Sequence, residues 1–310
     1  MTDRFPLPDK YRGEVAMMIV TILWGATFVI VKESIRDISS MLFIAFRFTI
    51  AGIIVLPFII KRKSLLKKDA ILAGIFLGVI LFIGFATQTI GLKFTTATKS
   101  GFITGSSVVM VPFLQIIVSR KIPSAGSFIG VVLVFIGILF LSSGGNSILS
   151  FAGDIGKNFN IGDGFTIACA ISFAIYIVYL DKLSHQYNFW ILLFLQITVS
   201  AILAYSAALI SSSFEIEKLR IDFTGNLIFG LAYTSIFATL VTTALQTRYQ
   251  KLITPTKAGI IYSFEPVFAA IIAYFALAES INSLGLVGCS MIFLGLIISE
   301  TYDILKKSQP

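Results

Sequence analysis

Apolar residues occur in ten long runs, and short polar or glycine- and proline-rich joints separate them. The runs extend over residues 14–31, 41–60, 70–91, 97–119, 125–143, 163–180, 189–211, 225–247, 257–277 and 281–299. A helix needs about 20 mainly apolar residues to cross roughly 30 Å of hydrocarbon. The pattern therefore predicts an all-α membrane protein with ten transmembrane helices.

The composition excludes the soluble classes of protein. Only 13% of the 310 residues are charged and 56% are hydrophobic, with a mean hydropathy of +0.93. A soluble domain carries about 25% charged residues, which keep its surface in water. Cys169 and Cys289 both lie inside apolar runs, so neither a disulfide framework nor a zinc site is expected. We expect no cofactor and no metal.

The distribution of basic residues predicts the topology. Lys and Arg number 16 on the side of the bilayer that holds both termini and 7 on the other side, with one more inside the second run. Positively charged loops remain in the cytoplasm, so both termini are expected there. The net charge of +8 is explained by this bias, so we expect no nucleic-acid partner.

An internal repeat divides the chain into two halves. A shift of 158 aligns residues 96–101 (TATKSG) with residues 254–259 (TPTKAG), and the same shift pairs glycines 130 and 137 with glycines 288 and 295. These glycines, seven residues apart, predict close helix packing. A unit of five helices crosses the membrane an odd number of times, so its second copy must be inverted. We predict repeats at 13–143 and 162–299, joined by a linker at 144–161.

Short motifs inside the runs carry a family resemblance. They are LWGATFV at 23–29, AFRF at 45–48, SGFIT at 100–104 and FEPVFAA at 264–270. The chain resembles the drug/metabolite transporter superfamily in its ten-helix form with two EamA-type domains. This resemblance implies an inner-membrane carrier, usually an exporter, of amino acids, other metabolites or drugs. It also implies a central cavity between the halves, with the fifth and tenth helices at the periphery.

Glu265 is the most informative ionisable residue. It lies about nine residues into the ninth run, roughly 13 Å along a helix and hence near the bilayer midplane. A lipid-facing carboxylate is costly there, so Glu265 must face a cavity or a partner, or carry a proton. It is our first candidate for binding substrate or protons. The alternative is a structural acid that hydrogen-bonds to a neighbouring helix.

Other polar or amphipathic residues inside the runs are candidates for lining the same cavity. Each of them, taken singly, is also explained as a hydrogen-bonding contact between helices. These candidates are Trp24, Thr27, Gln88, Thr104, Ser107, Tyr176, Tyr233, Gln246 and Tyr262.

Three basic residues are candidates for gate or structural charges. Arg47 is close enough to the outer end of the second run to be an interfacial anchor or part of an ion pair. Lys99 and Lys257 are repeat mates on opposite sides of the membrane, where each anchors a helix end or pairs with an acid as a gate. Glu14 and Asp163 begin the first and sixth runs, where a carboxylate complements the helix dipole.

An inverted repeat with a single midplane acid favours a secondary transporter that works by alternating access. The partners expected for such a transporter are a small-molecule substrate, protons and the lipid bilayer. A channel or a non-transporting scaffold is the alternative. A membrane-embedded enzyme is least supported, because the chain has one histidine and no clustered carboxylates. The sequence leaves substrate, direction, coupling ion and oligomeric state open.

Overall fold

A computed structural model of the chain describes residues 8–61, 67–142, 153, 159–277 and 283–307. Regular structure within these ranges is helical, with one isolated bridge between Ile38 and Ile221. Most of the predicted linker at 144–161 lies outside the described residues.

The first half contains seven described helices. They are α1 (Asp9–Gly25), α2 (Thr27–Ser34), α3 (Ser40–Ile60), α4 (Lys68–Phe94), α5 (Ala97–Gly105), α6 (Ser107–Ser119) and α7 (Ala125–Ser142). The second half continues the helical pattern. Its described elements are α8 (Ile161–Ser184), α9 (Phe189–Ser213), α10 (Gly225–Ser235), a π-helical segment (Ile236–Val241), α11 (Thr242–Tyr249), a 3-10 turn (Gln250–Leu252), α12 (Pro255–Tyr262), α13 (Glu265–Leu277) and α14 (Ser283–Lys307).

Eight continuous or nearly continuous helical segments in the described part of the chain are long and apolar enough to cross a bilayer. This indicates an integral membrane protein that crosses the bilayer several times. The remaining predicted spans coincide with α12 and α13 and with the apolar part of α14, Ser283–Ser299. The count of ten stays a prediction.

Breaks interrupt three predicted spans that look continuous in the sequence. They fall at Ala26 between α1 and α2, at Ser106 between α5 and α6, and at residues 263–264 between α12 and α13. Pro266 explains the last break in part, because it has no N–H to donate to a preceding carbonyl and is tolerated in the first turn of a helix. The second and third breaks are separated by the 158-residue shift of the repeat.

Glycines bring α7 and α14 into backbone contact. A Cβ atom added at Gly137 would lie 2.7 Å from the carbonyl oxygen of Gly288, and one added at Gly130 would lie 2.7 Å from that of Gly295. Only glycine allows this approach between the two helices. The close packing predicted from the seven-residue spacing is confirmed.

The two halves share a hydrophobic core. Leu77 and Phe85 of α4 belong to the same buried cluster as Tyr176 of α8 and Leu192 of α9. Packing between the halves therefore positions α4 and α8 side by side around the middle of the bundle.

Candidate functional site

A cavity lies in the middle of the bundle, between the two halves. It contains about 40 Å³ of space open to water-sized molecules. Nine of the ten predicted cavity candidates line it: Trp24, Thr27, Gln88, Thr104, Ser107, Tyr176, Gln246, Tyr262 and Glu265. Their use as a binding site stays a prediction, but the structure brings them to one place.

Glu265 occupies a special position in this cavity. It is the first residue of α13, immediately after the helix break, and its half-buried side chain lines the cavity. The N–H groups at a helix N-terminus carry a partial positive charge that stabilises a nearby carboxylate. Within the residues that the structure describes, the Glu265 carboxylate forms no hydrogen bond or ion pair. It is therefore an ionisable group of the cavity that is available to a ligand or a proton.

Aromatic rings form much of the cavity wall. The ring of Trp24 lies 5.4 Å from that of Tyr262 and 6.4 Å from that of Phe173, between centroids. Phe85 contacts Phe173 edge to face, with centroids 5.5 Å apart. Sequence reasoning missed Phe85 and Phe173, because a phenylalanine inside an apolar run looks the same whether it packs in a core or lines a cavity.

Several of the other polar lining groups are held by partners within the protein. The hydroxyl of Tyr262 accepts a hydrogen bond from Gln246 at 3.1 Å and donates to Gln250 at 3.0 Å. The hydroxyl of Tyr176 donates to the side-chain oxygen of Gln196 at 2.8 Å. These bonds fix the shape of the cavity, since a buried polar group that lacked its partner would be costly.

Tyr233 is the one predicted cavity residue that the structure places elsewhere. Its hydroxyl donates to the carbonyl of Leu23 at 2.8 Å, and its ring stacks on Phe229 at 6.1 Å. It lies outside the cavity lining and forms a hydrogen-bonding contact between α10 and α1, so its role as a binding candidate stays a prediction. The amphipathic character of tyrosine fits both roles, so the sequence could not separate them.

Arg47 lies inside the bundle and not at its edge. Its side chain is 2% exposed and points into the bundle, so its interpretation as an interfacial anchor is wrong. The guanidinium donates to the hydroxyl of Thr239 and, at 2.8 Å, to the carbonyl of Ala238, both in the π-helical segment. It lies 4.4 Å from the ring centroid of Phe85. Arg47 thus packs on Phe85, which lines the cavity.

Lys99 and Lys257 each form an ion pair with an acid of the opposite half. Lys99 lies 2.7 Å from Asp163, whose side chain is fully buried and also belongs to a capping box with Asn160. Lys257 lies 3.7 Å from Glu14. The anchoring and pairing interpretations are therefore both compatible with the structure, and a role in gating stays a prediction.

The bundle face that holds the N-terminus, which we call the N-face, contains a large depression of about 770 Å³. It is rich in basic side chains, and Asp181 is the acid among its lining residues in the described chain. The basic lining residues are Lys10, Lys121, Lys182, His185, Lys251 and Lys257.

The opposite bundle face, which we call the far face, is bridged by contacts between the halves. The loop after α2 pairs with the loop after α9: the N–H of Ser39 donates to Arg220 at 3.0 Å, and that of Asp222 donates to Asp37 at 2.8 Å. Glu217 in turn accepts hydrogen bonds from Lys93 and from the backbone N–H of residue 40. The structure thus has a wide N-face and a bridged far face.

Comparison with known proteins gives the family. The profile of the EamA-like transporter family matches residues 11–143 and again residues 160–301. An uncharacterized transporter of Archaeoglobus fulgidus is 33% identical over 286 residues, which cover 92% of this chain and 85% of that protein. The uncharacterized transporter YetK of Bacillus subtilis is 23% identical, covering 96% of this chain and 88% of YetK. A crystal structure with 15% identity shares the fold, with a TM-score of 0.77 over 96% of this chain and 99% of its own. The chain belongs to the EamA-like transporter family, within the drug/metabolite transporter superfamily.

Proposed function

We propose that this family member is a secondary carrier that exports a small metabolite, amino acid or drug across the plasma membrane by alternating access. The observation that carries the proposal is the central cavity, which both halves line and which contains one unpaired carboxylate, Glu265. Ionisable residues in the middle of a membrane mark substrate or ion pathways.

The two halves are proposed to be inverted repeats of five helices each. The repeated TATKSG and TPTKAG blocks and the double match of the family profile support this arrangement. Inverted repeats form two access states by exchanging the conformations of similar halves around a fixed site. The excess of Lys and Arg on the N-face supports a cytoplasmic location for both termini.

The chemistry of the cavity supports a definite kind of substrate. Trp24, Phe85, Phe173 and Tyr262 offer flat apolar surface, and Glu265 offers a hydrogen-bond acceptor that is negative when ionised. Such a site suits a molecule with an apolar body and one donor or cationic group, since aromatic faces also attract cations. Glu265 then either binds that group or releases a proton in exchange for it.

The test is transport in reconstituted proteoliposomes with an imposed pH gradient and a panel of candidate substrates. Glu265→Gln keeps the size and hydrogen bonding of the side chain but removes its titration. We expect the variant to fold, to lose pH-driven transport and to retain exchange of substrate without a gradient. Exchange persists because the carrier crosses the membrane with substrate bound in both directions. Such a cycle moves no net proton.

Glu33→Gln is the matched control, because Glu33 is a surface carboxylate in an ion pair with Arg36 and lies outside the cavity lining. It should behave as the wild type in both assays. Normal pH-driven transport by Glu265→Gln would refute the coupling role. Flux that rises linearly with substrate concentration, without saturation, would indicate a channel instead of a carrier.

A further inference from the structure

The two lysine ion pairs connect the halves in a crossed arrangement. Lys99 belongs to the first half and binds Asp163 of the second, whereas Lys257 belongs to the second half and binds Glu14 of the first. All four side chains are less than a fifth exposed. Ion pairs shielded from water in this way are screened less than pairs on an open surface.

The two lysines of the crossed pairs are repeat mates. The 158-residue shift places Lys99 on Lys257. The two matches of the family profile begin at residues 11 and 160, so Glu14 and Asp163 each lie three residues after the start of a match. Each lysine therefore pairs with an acid near the start of the other half.

The pairs lie at opposite faces of the bundle. Lys257 lines the N-face depression together with Asp181, which is near the end of α8. Asp163 is in the first turn of the same helix, 18 residues earlier, which corresponds to roughly 27 Å along the axis. Lys99–Asp163 is thus a far-face pair and Lys257–Glu14 an N-face pair.

The two pairs differ in the way that the two faces differ. At the bridged far face, the Lys99–Asp163 distance is 2.7 Å and Asp163 is fully buried. At the N-face, beside the depression of about 770 Å³, the Lys257–Glu14 distance is 3.7 Å and Glu14 keeps 19% of its side chain exposed. The short pair accompanies the closed face, and the long pair accompanies the wide one.

We propose that Lys99–Asp163 and Lys257–Glu14 are two equivalent locks, each of which closes its own face of the carrier in one half of the transport cycle. This inference rests on the alternating access of the proposed function. In the state seen here the far-face lock is closed and the N-face lock is loosened. In the other state the distances exchange, because the halves exchange conformations.

Removal of one lock shifts the balance between the two states in a direction that depends on the face. Lys99→Gln removes the far-face lock and favours opening there, whereas Lys257→Gln favours opening at the N-face. We expect each variant to change the ratio of the two states about tenfold, within the 5- to 150-fold range of conformational couplings. A general loss of stability would instead change the ratio of the two states in the same direction in both variants.

The assay is the labelling rate of a cysteine in the cavity by a membrane-impermeant thiol reagent. Gln88→Cys, in a background with Cys169→Ala and Cys289→Ala, supplies the reporter, because Gln88 lines the cavity. The reagent is added to either face of oriented vesicles. Lys99→Gln should raise labelling from the far face and lower it from the N-face, and Lys257→Gln should do the reverse.

Two controls test whether the pairing itself matters. Arg36→Gln removes a charge from a far-face ion pair within one half and should leave labelling unchanged. Glu14 also lies 3.8 Å from Lys10, so the exchange Glu14→Lys with Lys257→Glu is made together with Lys10→Gln. It restores the N-face pair with reversed polarity, so labelling should return to the wild-type rates. Equal labelling by the exchange and by Lys257→Gln alone would overturn the lock.

The same experiment separates this inference from the proposed function. If the reporter is labelled equally from both faces in the wild type and in every variant, alternating access fails and the locks fail with it. If labelling of the wild type shifts between faces with substrate or pH but does not respond to Lys99→Gln or Lys257→Gln, the locks alone are refuted.

Discussion

The contact between α7 and α14 permits a sharp prediction about stability. We expect Gly137→Ala to destabilise the folded protein, although alanine is the better helix former. The added methyl group would lie 2.7 Å from the carbonyl oxygen of Gly288 and 2.8 Å from Cγ1 of Ile292. The first of these atoms is backbone and cannot rotate away, so the helices themselves must separate.

The structure gives the size of this separation. Ordinary contacts begin at 3.4 Å, so the 2.7 Å approach is short by about 0.7 Å. A gap of roughly 0.5–1 Å removes a quarter to a half of the dispersion energy of each contact along the interface. Overpacking of this kind costs about 1–3 kcal/mol. At roughly 2–4 °C per kcal/mol, a cost in the middle of that range lowers Tm by about 4–8 °C.

The assay is thermal unfolding of the purified protein in detergent. Unfolding is measured as the loss of the monodisperse peak with rising temperature. Gly101→Ala is the matched control: it is the same substitution inside a helix, but the nearest atom to its added methyl would be Cε2 of Phe28 at 3.8 Å. The control should keep or raise Tm, because the methyl finds ordinary contact and alanine favours the helix. Equal Tm changes for the two variants would refute the reasoning from close contact.

Two further predictions follow from the structure. Arg47→Lys keeps the charge but loses the forked guanidinium that donates hydrogen bonds to Thr239 and Ala238. We therefore expect the variant to unfold in detergent at a Tm several degrees lower. An unchanged Tm would show that these hydrogen bonds add nothing to stability. Reporter fusions after Pro310 and within residues 144–161 should report opposite sides of the membrane, with the C-terminus cytoplasmic, and a C-terminus outside would reject the topology.

The sequence pattern was sufficient to predict the helices and most of the cavity. Apolar runs of about 20 residues leave no alternative to membrane-crossing helices, because the backbone must bond internally in hydrocarbon. Polar residues are costly in those runs, so nearly all of the candidates face the protein interior, and Gln88 and Thr104 reach the same cavity as Glu265.

The pattern could not predict which way an amphipathic side chain points. Tyr233 and Tyr262 are both tyrosines inside apolar runs, yet one bonds a neighbouring helix and the other lines the cavity. Helix rotation decides between these positions, and it depends on contacts with helices far away in the chain. Arg47 shows the same limit, because its partners Ala238 and Thr239 lie in a π-helical segment that has no evident sequence signal.

The paired helix breaks connect the repeat to the chemistry of the cavity. Ser107 begins α6 and Glu265 begins α13, and these residues are separated by the same 158 positions as Lys99 and Lys257. Both breaks therefore bring a helix N-terminus to the cavity, but one supplies a hydroxyl and the other a carboxylate. Two carboxylates there would repel each other and require two positive partners, whereas one requires a single proton or a single cationic group. The helix break recurs in both halves while the cavity keeps one charge, and this asymmetry fits the proposed carrier if it moves one ligand per cycle.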